Sequence, residues 1–304
     1  MKNSELRKDY LTDRYVIIAP GRKKRPHQFA EKITSSTKDS PFTPDHLKRS
    51  KILDSIGSGA KKVVAIKNVF PAVSPTNKKA YGFQEVIVET PNPNLRLADL
   101  SLDQIKNILL LHGRRVKALL KNKINYVLCF KNEGLNAGAS LSHAHSQIFA
   151  SEIITPRVLG IEERLRAYKT ARGHSLFEDI IKKELASKRR IFEDKNIAVF
   201  TPYASFYEYE VWLVTKRQVK SINNLTKLEL VSLAKSLSKV LKVIKELNVP
   251  YNFFFHTTKS SGKENFCIKV EPRIHVWAGL ELDSSLTINS VSPEEAAKLY
   301  KQAF

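Results

Sequence analysis

Two hydrophobic periods alternate along the first half of the chain. Short runs rich in valine and isoleucine, at residues 15–20 (YVIIAP), 62–67 (KVVAIK), 85–90 (EVIVET) and 125–130 (NYVLCF), have the composition and length of strands. The stretch at 142–150, SHAHSQIFA, reads as a further strand. Between them, Leu102, Ile105, Ile108, Leu109, Val116 and Leu119 recur at helical spacing and predict one long amphipathic helix. Ser101 and Gln104 form a capping-box pattern at its start. The polar residues 32–62, rich in Ser, Thr, Lys and Gly, predict a long loop.

The same order then returns, offset by about 125 residues (Glu85 to Glu210, Leu100 to Leu225). EVWLVTK (210–216) corresponds to EVIVETP, and a helix capped by Thr226 and Glu229 corresponds to the first long helix. YNFFFHT (251–257) and FCIKVEPRIHVWAG (266–279) complete the second set. This is an internal duplication of a strand–helix–strand–strand unit. It predicts an α+β fold of two tandem halves, 1–155 and 156–304, each an antiparallel sheet with a long helix on one face. Two further helices are expected at 158–171 and 176–189. A last one is expected at 293–303, with Ser292 as cap, Pro293 in its first position and Glu295 completing the box.

Composition narrows the function classes. No run of 18 apolar residues is present, so a membrane-spanning helix is not expected. The opening residues, MKNSELRKDY, do not resemble a secretory signal. Cys129 and Cys267 lie far apart in apolar contexts, which suits a reducing, cytoplasmic setting and no disulfide framework. A net charge of +21 suggests anionic partners, although the lysines are spread along the chain and fit a merely solvated surface equally well. The densest basic knot is GRKKRPH at 21–27.

Candidate chemistry concentrates in NEGLNAGASLSHAHSQI, residues 132–148. In an extended strand His143, His145 and Gln147 share one face. Two glycines just upstream let backbone N–H groups approach a ligand, as in an anion-binding nest. Imidazole can attack phosphorus, and amide donors can steady the charge on its oxygens. The same spacing also fits a metal half-site or half-buried polar residues, so the pattern alone leaves all three open. The first half alone carries the histidine pair. The second has Lys269, Glu271, Arg273 and His275 in the comparable region.

This segment resembles the active-site segment of the galactose-1-phosphate uridylyltransferase family of the histidine-triad superfamily. Asn132, Gly138, Ser140, His143, His145 and Gln147 match its pattern at the right spacings. Residues 13–26, 67–73, 272–281 and 288–298 resemble other segments of the family, so the likeness covers nearly the whole chain. It implies histidine-triad-like halves, the first catalytic and the second degenerate. It also implies that His145 takes a nucleoside monophosphate from a nucleotide sugar as a covalent nucleotidyl-histidine. By the same resemblance His143 orients, Gln147 steadies the transferred phosphate, and Asn132, Gly138 and Ser140 hold its oxygens. Arg22 and Arg25 would reach the nucleotide phosphates, Asn68 and Phe70 the base side, and Glu281 the hexose of a neighbouring subunit in a homodimer.

The chain also departs from the family. Ser40 and Thr43 stand where many members have the two cysteines of a zinc site, and Pro93 where they have a distal histidine. Only His143 of the four ligands remains, so no cofactor is expected and hydrogen bonds must fix His143, with a looser loop at 35–60. At the iron site of some members His256 remains, but Cys267 and Lys269 replace further ligands. Ala144 replaces a proline, and Leu280 an aromatic residue beside the hexose. The leading expectation is uridylyl transfer between a nucleotide sugar and a sugar 1-phosphate, as in UDP-glucose–hexose-1-phosphate uridylyltransferase. Val69, where an aspartate often stands near the ribose, favours the alternative of an ADP-sugar or dinucleoside polyphosphate phosphorylase. A third reading is a basic, non-catalytic nucleic-acid-binding protein. No interleaved aromatics or nucleic-acid motif support it.

Overall fold

The computed structural model describes residues 4–24, 40–260 and 264–304. The chain order is β1 (Glu5–Lys8), β2 (Tyr15–Ile18), α1 (Pro44–Leu47), β3 (Ile52–Ile56), β4 (Val63–Lys67), β5 (Gly82–Val88), α2 (Leu102–Leu119), β6 (Tyr126–Glu133) and β7 (His145–Ser151). Then come α3 (Pro156–Arg172), α4 (Leu176–Leu185), β8 (Arg190–Glu193), β9 (Ile197–Phe200), β10 (Val211–Gln218), α5 (Lys227–Leu247), β11 (Tyr251–Thr258) and β12 (Asn265–Pro272). The chain closes with α6 (Gly279–Ser284), β13 (Thr287–Asn289) and α7 (Pro293–Lys301).

The duplication is visible as geometry. β3-β4-β5-β7-β6 and β11-β12-β10-β9-β8 run in mirrored order. β6 pairs antiparallel with β11 over their full length, Phe130 opposite Phe254, so the two expected sheets are one continuous ten-stranded sheet. The reason is economy of edges: each half leaves one strand unpaired, and joining the two strands satisfies both rows of backbone groups. The long helices α2 and α5 lie on the same face, and one apolar core runs beneath both, from Val63 and Ile87 through Cys129 and Phe255 to Leu213 and Val270.

The helix starts follow their sequence signals. Ser101 Oγ accepts from the Gln104 amide at 3.3 Å. Gln104 does not close the box, because its side chain donates to Glu89 O at 3.0 Å and ties α2 to the end of β5. Thr226 and Glu229 form the full reciprocal box on α5. Ser292 caps α7 with Pro293 in its first turn.

The opposite face of the sheet is covered unequally. Over the second half, α3 and α4 pack Ile161, Leu165, Phe177 and Ile180 onto Phe200, Trp212 and Val214. Over the first half, among the described residues, the segment around α1 covers it, with Phe42 and Leu47 on Val64, Ile66, Val86 and Val88. From residue 40 onward the stretch expected as a loop therefore holds α1 and the edge strand β3. β8 and β9 were not expected either, nor was the small sheet β1-β2-β13 that joins the two ends of the chain.

Both halves share one core, so unfolding is expected in a single transition. Phe255→Ala, which empties a side chain 1 % exposed at the seam, should cost about 3–5 kcal/mol. Equilibrium urea unfolding followed by circular dichroism and by fluorescence checks this. Two separated transitions would show that the halves are independent.

Candidate active site

β7 begins at His145, and His143 lies just before it, outside the ladder. The expected alternation of three side chains on one strand therefore holds only for His145 and Gln147, whose partners across β5 are Val88 and Val86. His143 reaches the same side by a turn of the chain. Phe42 packs against both rings, with centroids 5.8 Å from His143 and 5.2 Å from His145.

Hydrogen bonds to carbonyl oxygens assign both imidazole tautomers, because a carbonyl can only accept. His143 Nε2 lies 2.7 Å from Thr90 O and donates to it. Its Nδ1 then accepts from Ser40 Oγ at 2.7 Å. His145 Nδ1 lies 2.8 Å from His143 O and donates to it. His145 Nε2 is left with its lone pair and no protein partner among the described residues. Burial, reinforced by the nearby charge of Lys131, pushes the His145 pKa down to about 4, against the opposing hydrogen bond to His143. At neutral pH the ring is the neutral, nucleophilic form.

The backbone at His145 is itself held. Lys131 Nζ donates to His145 O at 3.0 Å and to Glu89 Oε2 at 2.8 Å, and pairs with Glu133 at 3.1 Å. Burial works against the Lys131 charge, but the two carboxylates outweigh it and raise its pKa. On the helix side His112 Nε2 meets Ser146 Oγ at 2.9 Å, tying β7 to α2. None of Lys131, Glu89 or Ser146 was picked out from the sequence. The available signal was a lysine at a core-facing position of a strand, in LCFKNE, which a packed fold tolerates only with partners.

The other expected residues divide into two groups. Asn132, on β6, donates to Gly138 O at 3.3 Å and accepts from Asn252 Nδ2 at 2.9 Å. Asn252 also donates to Ala137 O at 2.8 Å, so the glycine loop is pinned from both halves. Gly134 and Gly138 take φ of 86° and 81°, a conformation that side chains resist. Ser140 is exposed on this loop, and the half-buried Gln147 amide makes no hydrogen bond among the described residues. Asn68 lines a cleft of about 480 Å³ beside His46, Arg49 and Lys67. Phe70 is 90 % exposed nearby, its amide donating to Asn68 Oδ1 at 2.8 Å. This cleft connects to the histidines through His46 Nδ1, which donates to Ser40 O at 2.9 Å.

Arg22 and Glu281 belong to a different region. Arg22 is exposed on the turn after β2, and Glu281 accepts from Ala278 N at 3.0 Å in its own short helix before β13. No described contact joins either to the strand of His145. Arg25 lies outside the described residues.

The former zinc positions do not form a zinc ligand set. Ser40 and Thr43 offer hydroxyls, Pro93 has no side-chain donor, and both nitrogens of His143 are engaged. Zinc takes thiolate, imidazole or carboxylate ligands, usually four. Among the described residues no group of three or more His, Cys, Asp or Glu could hold a metal ion. Both cysteines are free.

The neutral state of His145 has a measurable consequence. With a pKa near 4, about nine-tenths of the ring remains neutral at pH 5, against about 3 % for an ordinary imidazole. Single-turnover reaction at His145 should stay nearly constant from pH 7 to pH 5 and fall only below that. A rate that halves near pH 6.5 would contradict the assignment.

Comparison with known proteins agrees with the geometry. The description "Galactose-1-phosphate uridyl transferase, N-terminal domain" matches residues 1–155, and its C-terminal counterpart matches 162–277. An ADP-glucose phosphorylase from Arabidopsis thaliana is 27 % identical over 99 % of this chain and 93 % of its own. A galactose-1-phosphate uridylyltransferase from Thermotoga maritima is 26 % identical over 98 % of both. The crystal structure of an Arabidopsis ADP-glucose phosphorylase with bound ADP-glucose superposes with a TM-score of 0.86 at 29 % identity, covering 99 % of each chain. Matched along nearly its whole length and carrying the His-x-His-x-Gln strand in place, this chain belongs to the galactose-1-phosphate uridylyltransferase family of the histidine-triad superfamily.

Proposed function

We propose that the protein transfers a nucleoside monophosphate through His145. The observation that carries this reading is the His145 Nδ1–H bond to His143 O, which leaves Nε2 unprotonated on the open face of the sheet. In the first half-reaction Nε2 bonds to the α-phosphorus of a nucleotide sugar. The bond from that phosphorus to the bridging oxygen breaks, and sugar 1-phosphate leaves. In the second, an acceptor phosphate oxygen attacks the same phosphorus and returns the electron pair to Nε2. The unpartnered Gln147 amide, with Asn132, Ser140 and the loop at Gly138, would receive the non-bridging oxygens. His143 acts as a positioning residue, and Asn68 with Phe70 forms the base side.

Two acceptors fit this scheme. A sugar 1-phosphate would make the protein a hexose-1-phosphate uridylyltransferase. Inorganic phosphate would make it an ADP-sugar phosphorylase. Val69 and the higher structural similarity to the ADP-glucose phosphorylase (TM-score 0.86, against 0.76 for a uridylyltransferase structure) favour the phosphorylase. We further propose that the reaction needs no zinc, because Ser40 and Thr90 hold His143 where a metal would. A homodimer would bring Arg22 or Glu281 of a second copy to the site. The exposed Val276, Leu280 and Leu282 around α6 support such a contact. Among the described residues no helix is long and apolar enough to cross a membrane. A role in nucleic-acid binding has no support in the site.

Intact mass after mixing with ADP-glucose or UDP-glucose, without acceptor and with a chelator present, tests these statements together. The expected result is an adenylyl adduct that is absent from His145→Gly and discharged by phosphate to release ADP. A uridylyl adduct discharged only by a hexose 1-phosphate would give the transferase instead. No adduct with either donor would refute nucleotidyl transfer from these sugars. An adduct lost only in chelator would refute the zinc-free site.

A further inference from the structure

The duplication places a second concave surface on the open face of the sheet, over β11 and β12. It forms a cavity of about 420 Å³ beneath the start of α3. β12 presents Cys267, Lys269 and Glu271 there, in the part of the second half that corresponds to β7. Its charged groups are not satisfied by one another. Arg157, Lys269 and Arg273 line the cavity, and none makes an ion pair with a described carboxylate. Lys269 rests over the Trp212 ring at 4.0 Å, and Arg273 over Tyr207 at 4.6 Å, contacts that orient the cations without neutralising them.

Glu271 faces the same space, is 6 % exposed and makes no hydrogen bond among the described residues. The lining also holds Glu162, Glu264 and Lys220, but around Glu271 the exposed Arg157 and the half-buried Lys269 and Arg273 turn charge toward one cavity without a carboxylate partner, an arrangement that suits an anionic occupant. Burial, together with the neighbouring Glu210, raises the Glu271 pKa, against the pull of Arg157, Lys269 and Arg273. The floor is apolar, with Phe130 and Phe254.

We propose that this cavity is a second ligand site for a small phosphorylated molecule, inorganic phosphate or a phosphomonoester, separate from the site at His145. The phosphate would sit among Arg157, Lys269 and Arg273, beside Glu271, and the body of a monoester would lie on the phenylalanine floor. Asn132 and Asn252 belong both to the cavity wall and to the contacts that pin the glycine loop, so occupancy reaches the first site through that loop.

Equilibrium binding of radiolabelled inorganic phosphate and of glucose 1-phosphate tests this on the intact protein. The wild type should bind two equivalents of at least one probe. Gln147→Ala should weaken one. Arg157→Ala with Lys269→Met should weaken the other by at least about tenfold, the scale of lost charge-assisted hydrogen bonds. The paired substitution should leave formation of the nucleotidyl adduct intact, and Glu271→Gln, which keeps the shape of the neutral acid, should retain both equivalents. Phosphate alone occupying the cavity would point to the free anion, and tighter binding of glucose 1-phosphate to a monoester. A single equivalent in the wild type, or binding unchanged by the paired substitution, would overturn the proposal. Failure of nucleotidyl transfer would show separately, as no adduct in any variant while the cavity still binds phosphate.

Discussion

One hydrogen bond decides what this fold can do: His145 Nδ1–H to the carbonyl of His143, at 2.8 Å. A neutral imidazole has one proton and one lone pair, and their placement determines whether the outward nitrogen attacks or donates. Accepting the proton on the strand side leaves the lone pair toward the open face. The neighbouring structure serves to keep that carbonyl and that ring where they are. His143 is clamped by Ser40 and Thr90, Lys131 grips the carbonyl of His145, and Phe42 lies across both rings.

The buried charges follow from the same requirement. A lysine 1 % exposed inside a strand is costly unless paired, and Lys131 meets two carboxylates and one backbone oxygen. Its positive charge also helps keep the His145 ring neutral. The device that stabilises the backbone therefore also tunes the imidazole proposed as nucleophile. The second half has the same strand plan with different side chains. Lys269 and Glu271 replace the reactive pattern, and the helices α3 and α4 roof the surface that α1 leaves more open in the first half.

Much of this was legible in the residues. The 3.6-residue stripe and the Ser101 and Thr226 signals located α2 and α5, and the repeat announced the two halves. The His-x-His-x-Gln spacing put His145 and Gln147 on one strand face. Long-range pairing was not legible. Nothing local in NYVLCF and YNFFFHT says that the two strands join, since that depends on which edges remain unpaired. β8 and β9 are four residues each, too short for a periodicity to speak. His143 looked like a strand residue, because alternation cannot show that the ladder starts two positions later. Lys131, and the contact of Ser40 with His143, emerged only when residues far apart in sequence met. Ser40 and His143 are one such pair, 103 positions apart.

The central claim is the protonation state of His145, and nitrogen NMR reads it directly. In protein labelled with ¹⁵N-histidine, with His145→Gln used to assign the signal, the His145 ring at pH 7 should be neutral. It should carry its proton on Nδ1, with Nε2 showing the shift of an unprotonated nitrogen. A proton on Nε2, or an imidazolium at that pH, would contradict the account, because the nitrogen facing the open sheet would then have no lone pair to offer phosphorus.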